Sequence, residues 1–180
     1  MPHDPLPRHR YRLLRRFEVA GRQGVATDGD RVWISGSTTL HCYRADGTLH
    51  AENRSPLAGL STPANHLGDI DLFEGRIYAG AENFLDGVGE DIKVLVYDAE
   101  TLALIDSFPF APESGQLEVS GVAVDRADRT LWMSSWVGGE SGRHLYQYDL
   151  DSGAYLRRVH LQPVPQWTVS YTHLTLPTTY

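Results

Sequence analysis

Apolar residues along this chain alternate with polar ones or run in fours, and almost nowhere recur at helical spacing. Asp-Gly, Glu-Gly and Ala-Asp pairs flank the runs, residues that close tight turns between strands. The clearest example is 66–80, His-Leu-Gly-Asp-Ile-Asp-Leu-Phe-Glu-Gly-Arg-Ile-Tyr-Ala-Gly. It predicts a hairpin of two short strands, Asp69 to Phe73 and Arg76 to Ala79, joined by Glu74-Gly75. The same pattern is written at 23–36 and again at 120–135. Each copy has a Gly (Gly24, Gly68, Gly121), an apolar inner strand, a polar turn, and a second strand carrying Trp33, Tyr78 or Trp132. A second phrase follows each copy: His41-Cys-Tyr-Arg-Ala-Asp-Gly47, Val96-Tyr-Asp-Ala-Glu-Thr101 and Gln147-Tyr-Asp-Leu-Asp-Ser-Gly153.

The repeat sets the fold class. The Gly anchors are 44 and 53 residues apart and the Tyr anchors (Tyr43, Tyr97, Tyr148) 54 and 51. A period of roughly 40–55 residues with four short strands is the signature of a β-propeller blade. An ordinary β-sandwich with accidental repetition is the competing reading. Apolar neighbours on both strand faces, Ile77 with Tyr78 and Leu131 with Trp132, favour blades, because each blade is covered on both sides. The expectation is therefore an all-β partial β-propeller over 11–167, of about three four-stranded antiparallel blades at 23–56, 65–109 and 118–161. Inner strands are expected near 24–28, 68–73 and 121–125, and Ser55 to Pro63 and Pro109 to Gln116 are the crossings.

Residues 1–10, rich in Pro, His and Arg, are expected to be a mobile arm. Tyr11 to Ala20 reads as a strand like Leu104 to Phe108 and Leu156 to Val159, which close their repeats; with no preceding repeat, it is expected to close the ring of a larger propeller. From Gly to Tyr anchor there are 19, 29 and 27 residues in the three blades. The surplus lies between second and third strands, at Ala81 to Asp91 and Trp136 to Arg143, predicting functional loops there. The stretch 168–180 has no Gly and no echo of the repeat, and resembles the translation of a sequencing-library adapter. It is expected to be a non-native tail, with the natural sequence breaking off near Trp167.

Composition narrows the function classes. The formal charge is −7, and the five arginines and one aspartate of 1–16 leave the rest at −11. A short basic arm on an acidic body is not a phosphate-tracking surface, so no nucleic-acid partner is expected. No run approaches the ~18 apolar residues of a membrane span. Met1 to Arg16 lacks the apolar core of a signal peptide, which points to the cytoplasm if Met1 is the true start. Cys42, the one cysteine, can form no intrachain disulfide and reads as an inert buried thiol.

Gly-led inner strands, aromatic second strands and turns such as Tyr148-Asp-Leu-Asp-Ser-Gly153 resemble the YVTN and quinoprotein-amine-dehydrogenase-like propeller superfamily. The resemblance covers roughly Tyr11 to Trp167 and implies a propeller. WD-repeat proteins fit less well, because the Gly-His and Trp-Asp pairs are missing. Gln23-Gly24 and the Tyr-Asp turns also resemble glutamine cyclotransferases, but motifs so widely shared carry no catalytic residue across.

In propellers, ligands sit where the innermost strands begin and where long loops gather. The candidates there are Gln23, Asn65, His66 and Glu118, with Glu82 and Trp136 from the loops. Asn65, Glu82 and Glu118 offer oxygen donors of the kind Ca²⁺ takes, and His66 could act as a base. The plainer alternative for His66 and Glu118 is hydrogen bonding to a neighbouring blade. Asp86, Glu90 and Asp91 lack the spacing of a calcium loop, and Asp86-Gly87 reads as a turn. Ser134, Ser135 and Ser141 lack a nucleophile-elbow context, and His41, His144 and His160 lack ligand spacing. Two classes remain: a binding domain recognising a small molecule or protein at the rim, and a propeller enzyme of hydrolase, lactonase or glutamine-cyclotransferase type with an acid or base at the channel mouth.

Overall fold

The computed structural model describes residues 12–86, 88–136 and 139–161. The expected mobile arm at 1–10 and non-native tail at 168–180 lie outside the described residues. Among the described residues, twelve strands fold into three separate four-stranded meanders, each antiparallel and in chain order. Blade one holds β1 (Gly24–Thr27), β2 (Arg31–Gly36), β3 (Thr39–Arg44) and β4 (Leu49–Asn53). Blade two holds β5 (His66–Phe73), β6 (Arg76–Leu85), β7 (Val88–Asp98) and β8 (Leu104–Pro109). Blade three holds β9 (Gly121–Asp125), β10 (Thr130–Ser134), β11 (His144–Asp149) and β12 (Tyr155–His160). The helical content among the described residues is two short 3₁₀ turns, Pro112–Ser114 and Ser141–Arg143. No helix among them is long and apolar enough to cross a membrane.

The blades stack face to face, with the inner strands β1, β5 and β9 side by side. Two apolar layers hold the stack. Trp33, Cys42, Leu67, Ile77, Leu95 and Tyr97 fill the layer between blades one and two. Tyr78, Val94, Val122, Leu131, Met133 and Tyr146 fill the layer between two and three. The repeated aromatic of each second strand points toward the next blade. Trp33 is fully buried and its indole N–H donates to Ala99 O at 2.8 Å, across the interface. Tyr78 is buried in the layer facing blade three, whereas Trp132 lies half-buried on a face that no further blade among the described residues covers. Val122 and Met133 of blade three turn toward blade two and are buried, and Ile34 of blade one is buried as well. Val25 of β1, by contrast, is 62% exposed.

The repeated glycines mark the closest approach of inner strands. A Cβ on Gly24 would lie 2.6 Å from Ile70 N and 2.7 Å from Asp69 Cα, both backbone atoms of blade two. The Tyr-Asp phrase has a shared geometry too. Every third-to-fourth strand ladder slips its register at the repeated tyrosine, between Cys42 and Tyr43, Val96 and Tyr97, and Gln147 and Tyr148. That bulge turns each hydroxyl onto backbone that follows an outer strand. Tyr97 donates to Pro56 O at 2.9 Å, while Ala111 N–H donates to the Tyr148 hydroxyl at 3.4 Å. Asp98 and Asp149 then close their turns by accepting the N–H and hydroxyl of Thr101 and Ser152.

Two expectations are corrected. Residues 12–20 form no strand, since no neighbouring strand offers them a ladder. Their packing is nevertheless that of an outer strand. Phe17 sits against Gly47 and Tyr43 of blade one, as Phe108 of β8 sits against Gly153 of blade three. Ala20 N–H reaches the Tyr43 hydroxyl at 2.9 Å, three residues after Phe17, just as Ala111 follows Phe108. The segment occupies the place of a preceding blade's last strand without that blade's hydrogen bonds. The stretch 81–91 is also not a loop. β6 and β7 continue through it as a long hairpin, pairing Asn83 with Glu90, Phe84 with Gly89 and Leu85 with Val88. Asp86 supplies the turn with φ 52°, a left-handed conformation that Asp tolerates.

Candidate functional site

The leading end of β5 and the strap before β9 bring four of the six expected residues to one rim. His66 opens β5 directly opposite Glu82 of β6, and its Nδ1 lies 3.2 Å from Glu82 Oε1. Glu82 is only 1% exposed. Its other oxygen accepts Val119 N–H at 3.3 Å, so the carboxylate ties blade two to the strap that leads into blade three. Gly89, on the facing strand, leaves the room: a Cβ there would overlap Glu82 Oε2. A carboxylate taken out of water needs such partners on both oxygens.

Glu118, on the strap itself, is 5% exposed. Its Oε2 accepts Trp136 N–H at 2.6 Å, which anchors the loop between β10 and β11. Its backbone carbonyl accepts from Gln116 Nε2 at 3.0 Å and Ser135 Oγ at 2.6 Å. Burial pushes the Glu118 carboxyl above the ordinary glutamate range and the nearby charge of Glu82 adds to this, while the Trp136 N–H and His66 pull the other way. The Trp136 side chain, whose backbone N–H the Glu118 carboxylate holds, is 63% exposed. The site thus couples a part-exposed imidazole, two buried carboxylates from different segments, and an indole open to solvent.

Gln23 and Asn65 stand apart from this group. Asn65 uses both ends of its amide on the backbone of Phe84, donating at 3.0 Å and accepting at 2.7 Å. Gln23 donates to Ser37 Oγ at 2.9 Å on blade one. The oxygens expected to serve Ca²⁺ are already engaged: Asn65 Oδ1, Glu82 Oε2 and Glu118 Oε2 each accept a different backbone N–H. Glu90 and Asp91 lie on the exposed part of β7 beside the turn residue Asp86.

Three further polar groups shape this region. Gln116 is buried, with its side-chain oxygen unpartnered. Lys93 is buried and donates to Thr62 O and Pro63 O at 3.4 and 3.0 Å, pinning the first crossing; burial lowers its pKa. Asp69 and Asp71 lie on one face of β5 and accept the edge N–H groups of Val122 and Val124 at 3.1 and 2.8 Å. The alternation Asp69-Ile70-Asp71 was the available signal, since the matching positions in the other inner strands are Val25 and Thr27, and Val122 and Val124.

Solved structures share the stacked-blade fold. The quinohemoprotein alcohol dehydrogenase from Comamonas testosteroni superposes with a TM-score of 0.54 at 15% identity, over 77% of this chain and 27% of that one. The chain forms three blades of a β-propeller. A europium-containing methanol dehydrogenase matches with a TM-score of 0.51 at 12% identity, over 78% of this chain and 32% of its own. The extracellular domain of a hybrid two-component system from B. thetaiotaomicron matches at 0.52 and 18% identity, over 84% of this chain and 18% of that one. At such identities the likeness establishes the propeller fold alone, and this chain spans a third or less of each of those proteins. No family model matches the sequence, and no curated protein does.

Proposed function

We propose that these propeller blades present a ligand-binding rim, with His66, Glu82, Glu118 and Trp136 as the contact set. The partner is a small molecule, or a protein side chain, carrying a basic or hydrogen-bond-donating group. One observation carries this reading: two carboxylates, 1% and 5% exposed, are held behind one rim beside a part-exposed imidazole and an exposed indole. Two buried carboxylates make the rim electronegative, and the indole adds the flat apolar surface on which cations and small ligands dock. A thermal-shift screen of amine- and guanidine-bearing fragments tests it. Fragments that stabilise the protein should lose their effect in His66→Ala, Glu118→Gln and Trp136→Ala. Glu118→Gln keeps an acceptor for Trp136 N–H, so the rim stays assembled in that variant. Undiminished shifts in all three variants would place the site elsewhere.

The upward-shifted Glu118 carboxyl beside His66 favours a second reading, a propeller enzyme of hydrolase, lactonase or glutamine-cyclotransferase type. Glu118 would then supply a proton and His66 would accept one. Turnover of activated esters, lactones or glutaminyl peptides that disappears in Glu118→Gln would support it. Absence of turnover across all three substrate classes would retire it.

A further inference from the structure

Strand pairing in blade three assembles a second polar cluster, made of residues outside the rim set. His144 opens β11 and His160 ends β12, and the two are direct partners in the antiparallel register. Their rings lie 5.0 Å apart in an edge-to-face arrangement. Glu140, in the loop before β11, brings its carboxylate to the same point, 3.7 Å from His144 Nε2. One ligand atom from each residue lies within 4.8 Å of the others. Sixteen residues of sequence separate the two histidines, so spacing along the chain hides the pair.

The chemistry of His144 is decided by its other nitrogen. His144 Nδ1 lies 2.8 Å from Glu140 O, and a carbonyl only accepts, so Nδ1 carries the proton. In the neutral ring Nε2 is then a bare lone pair, and it faces a carboxylate oxygen that likewise has nothing to donate. A buried imidazole whose far N–H is held by a backbone carbonyl is oriented as metal-bound histidines are. A bridging water has protons for only two of these three lone-pair donors, whereas a metal ion takes a lone pair from each.

We infer that Glu140, His144 and His160 form a site for a divalent transition ion, with two imidazole nitrogens and one carboxylate oxygen as ligands. That donor set suits Zn²⁺ and its borderline neighbours better than Ca²⁺ or Mg²⁺, which favour all-oxygen shells. Three protein ligands leave one position of a tetrahedral shell open to water or a further ligand. The ion would clamp the loop that carries Glu140 to the two outer strands of blade three. It would therefore steady the same loop on which Trp136 sits.

The test is calorimetric titration of the full chain, freed of metal by chelator, with Zn²⁺. Wild type, His160→Ala and Glu140→Gln are compared, because both substituted side chains are exposed and leave the buried layer intact; circular dichroism checks each fold. The site predicts that wild type binds one Zn²⁺ more tightly than either variant, by more than the ~10–100-fold that loss of an outer-shell partner costs. Co²⁺ should give the visible bands of a tetrahedral complex in wild type and not in His160→Ala. Equal Zn²⁺ affinity and stoichiometry in all three proteins would overturn the site, since it would locate the ion at other histidines. No Zn²⁺ binding at neutral pH would also overturn it, leaving a polar cluster that holds no ion.

Discussion

Glu118 shows how one side chain links the rim to folding. Its carboxyl titrates above the ordinary glutamate value of 4.5 because it is buried. Above that value the unfolded chain has released its proton while the folded protein still holds one. The stability Glu118 contributes therefore falls as pH rises through its folded pKa. Asp98 and Asp149 act in the opposite sense: their turn hydrogen bonds hold them low, so their contribution is present at neutral pH and lost as pH falls. Comparing wild type with Glu118→Gln by urea denaturation between about pH 4 and pH 8 separates the two effects. The difference, wild type minus variant, should shrink and then favour the variant as pH rises. A difference that does not change with pH would mean that Glu118 is not the buried, uphill carboxylate described here.

Within the elements, close approach of inner strands decides which repeated glycines matter. Alanine at Gly24 would drive its Cβ into the backbone of Asp69 and Ile70, which cannot rotate away. Gly24→Ala should cost about 1–3 kcal/mol, the usual price of overpacking. At Gly121 an added Cβ meets only the Ser134 hydroxyl, which can turn aside, so Gly121→Ala should cost measurably less by chemical denaturation. Equal losses would show that the glycines serve the strands rather than the blade interface. Much at this scale was legible in the sequence. The hairpin turn at Glu74-Gly75, the three four-stranded meanders and the Tyr-Asp turns follow from local patterns whose causes are local. The lengthened β6–β7 hairpin was not legible, because Asn83, Glu90 and Gly89 are poor strand formers that form a ladder only when held against each other. Nor was the pairing of His144 with His160, which depends on register and not on spacing. At the rim, His66 and Glu118 are marked by their places at the inner strands and Glu82 by its loop, whereas the hydrogen bonds that commit the exposed Asn65 and Gln23 to neighbouring groups appear only in the coordinates.

At the scale of the molecule, the stack of blades makes two like-placed tryptophans unlike. Trp33 is sealed beneath blade two and hydrogen-bonded to Ala99, whereas Trp132 lies on the open face of blade three under the guanidinium of Arg157. Trp33→Ala should cost about 3–5 kcal/mol and Trp132→Ala far less, measured by urea denaturation. Comparable losses would mean that Trp132 is covered. That open face, with Val25 exposed at the other end of the stack, favours association, so light scattering on the purified chain should detect oligomers. A monodisperse monomer would show that both faces are shielded. The rim is where recognition is placed, and its exposed indole reports on it directly. The most direct measurement is the ¹⁵N–¹H spectrum of the tryptophan indoles while a stabilising amine fragment is titrated in. Binding at the rim predicts a saturable shift of the Trp136 indole and of its backbone amide, the group held by Glu118, with Trp33 unmoved. A saturable shift at other tryptophans with Trp136 unchanged would contradict a ligand site at this rim.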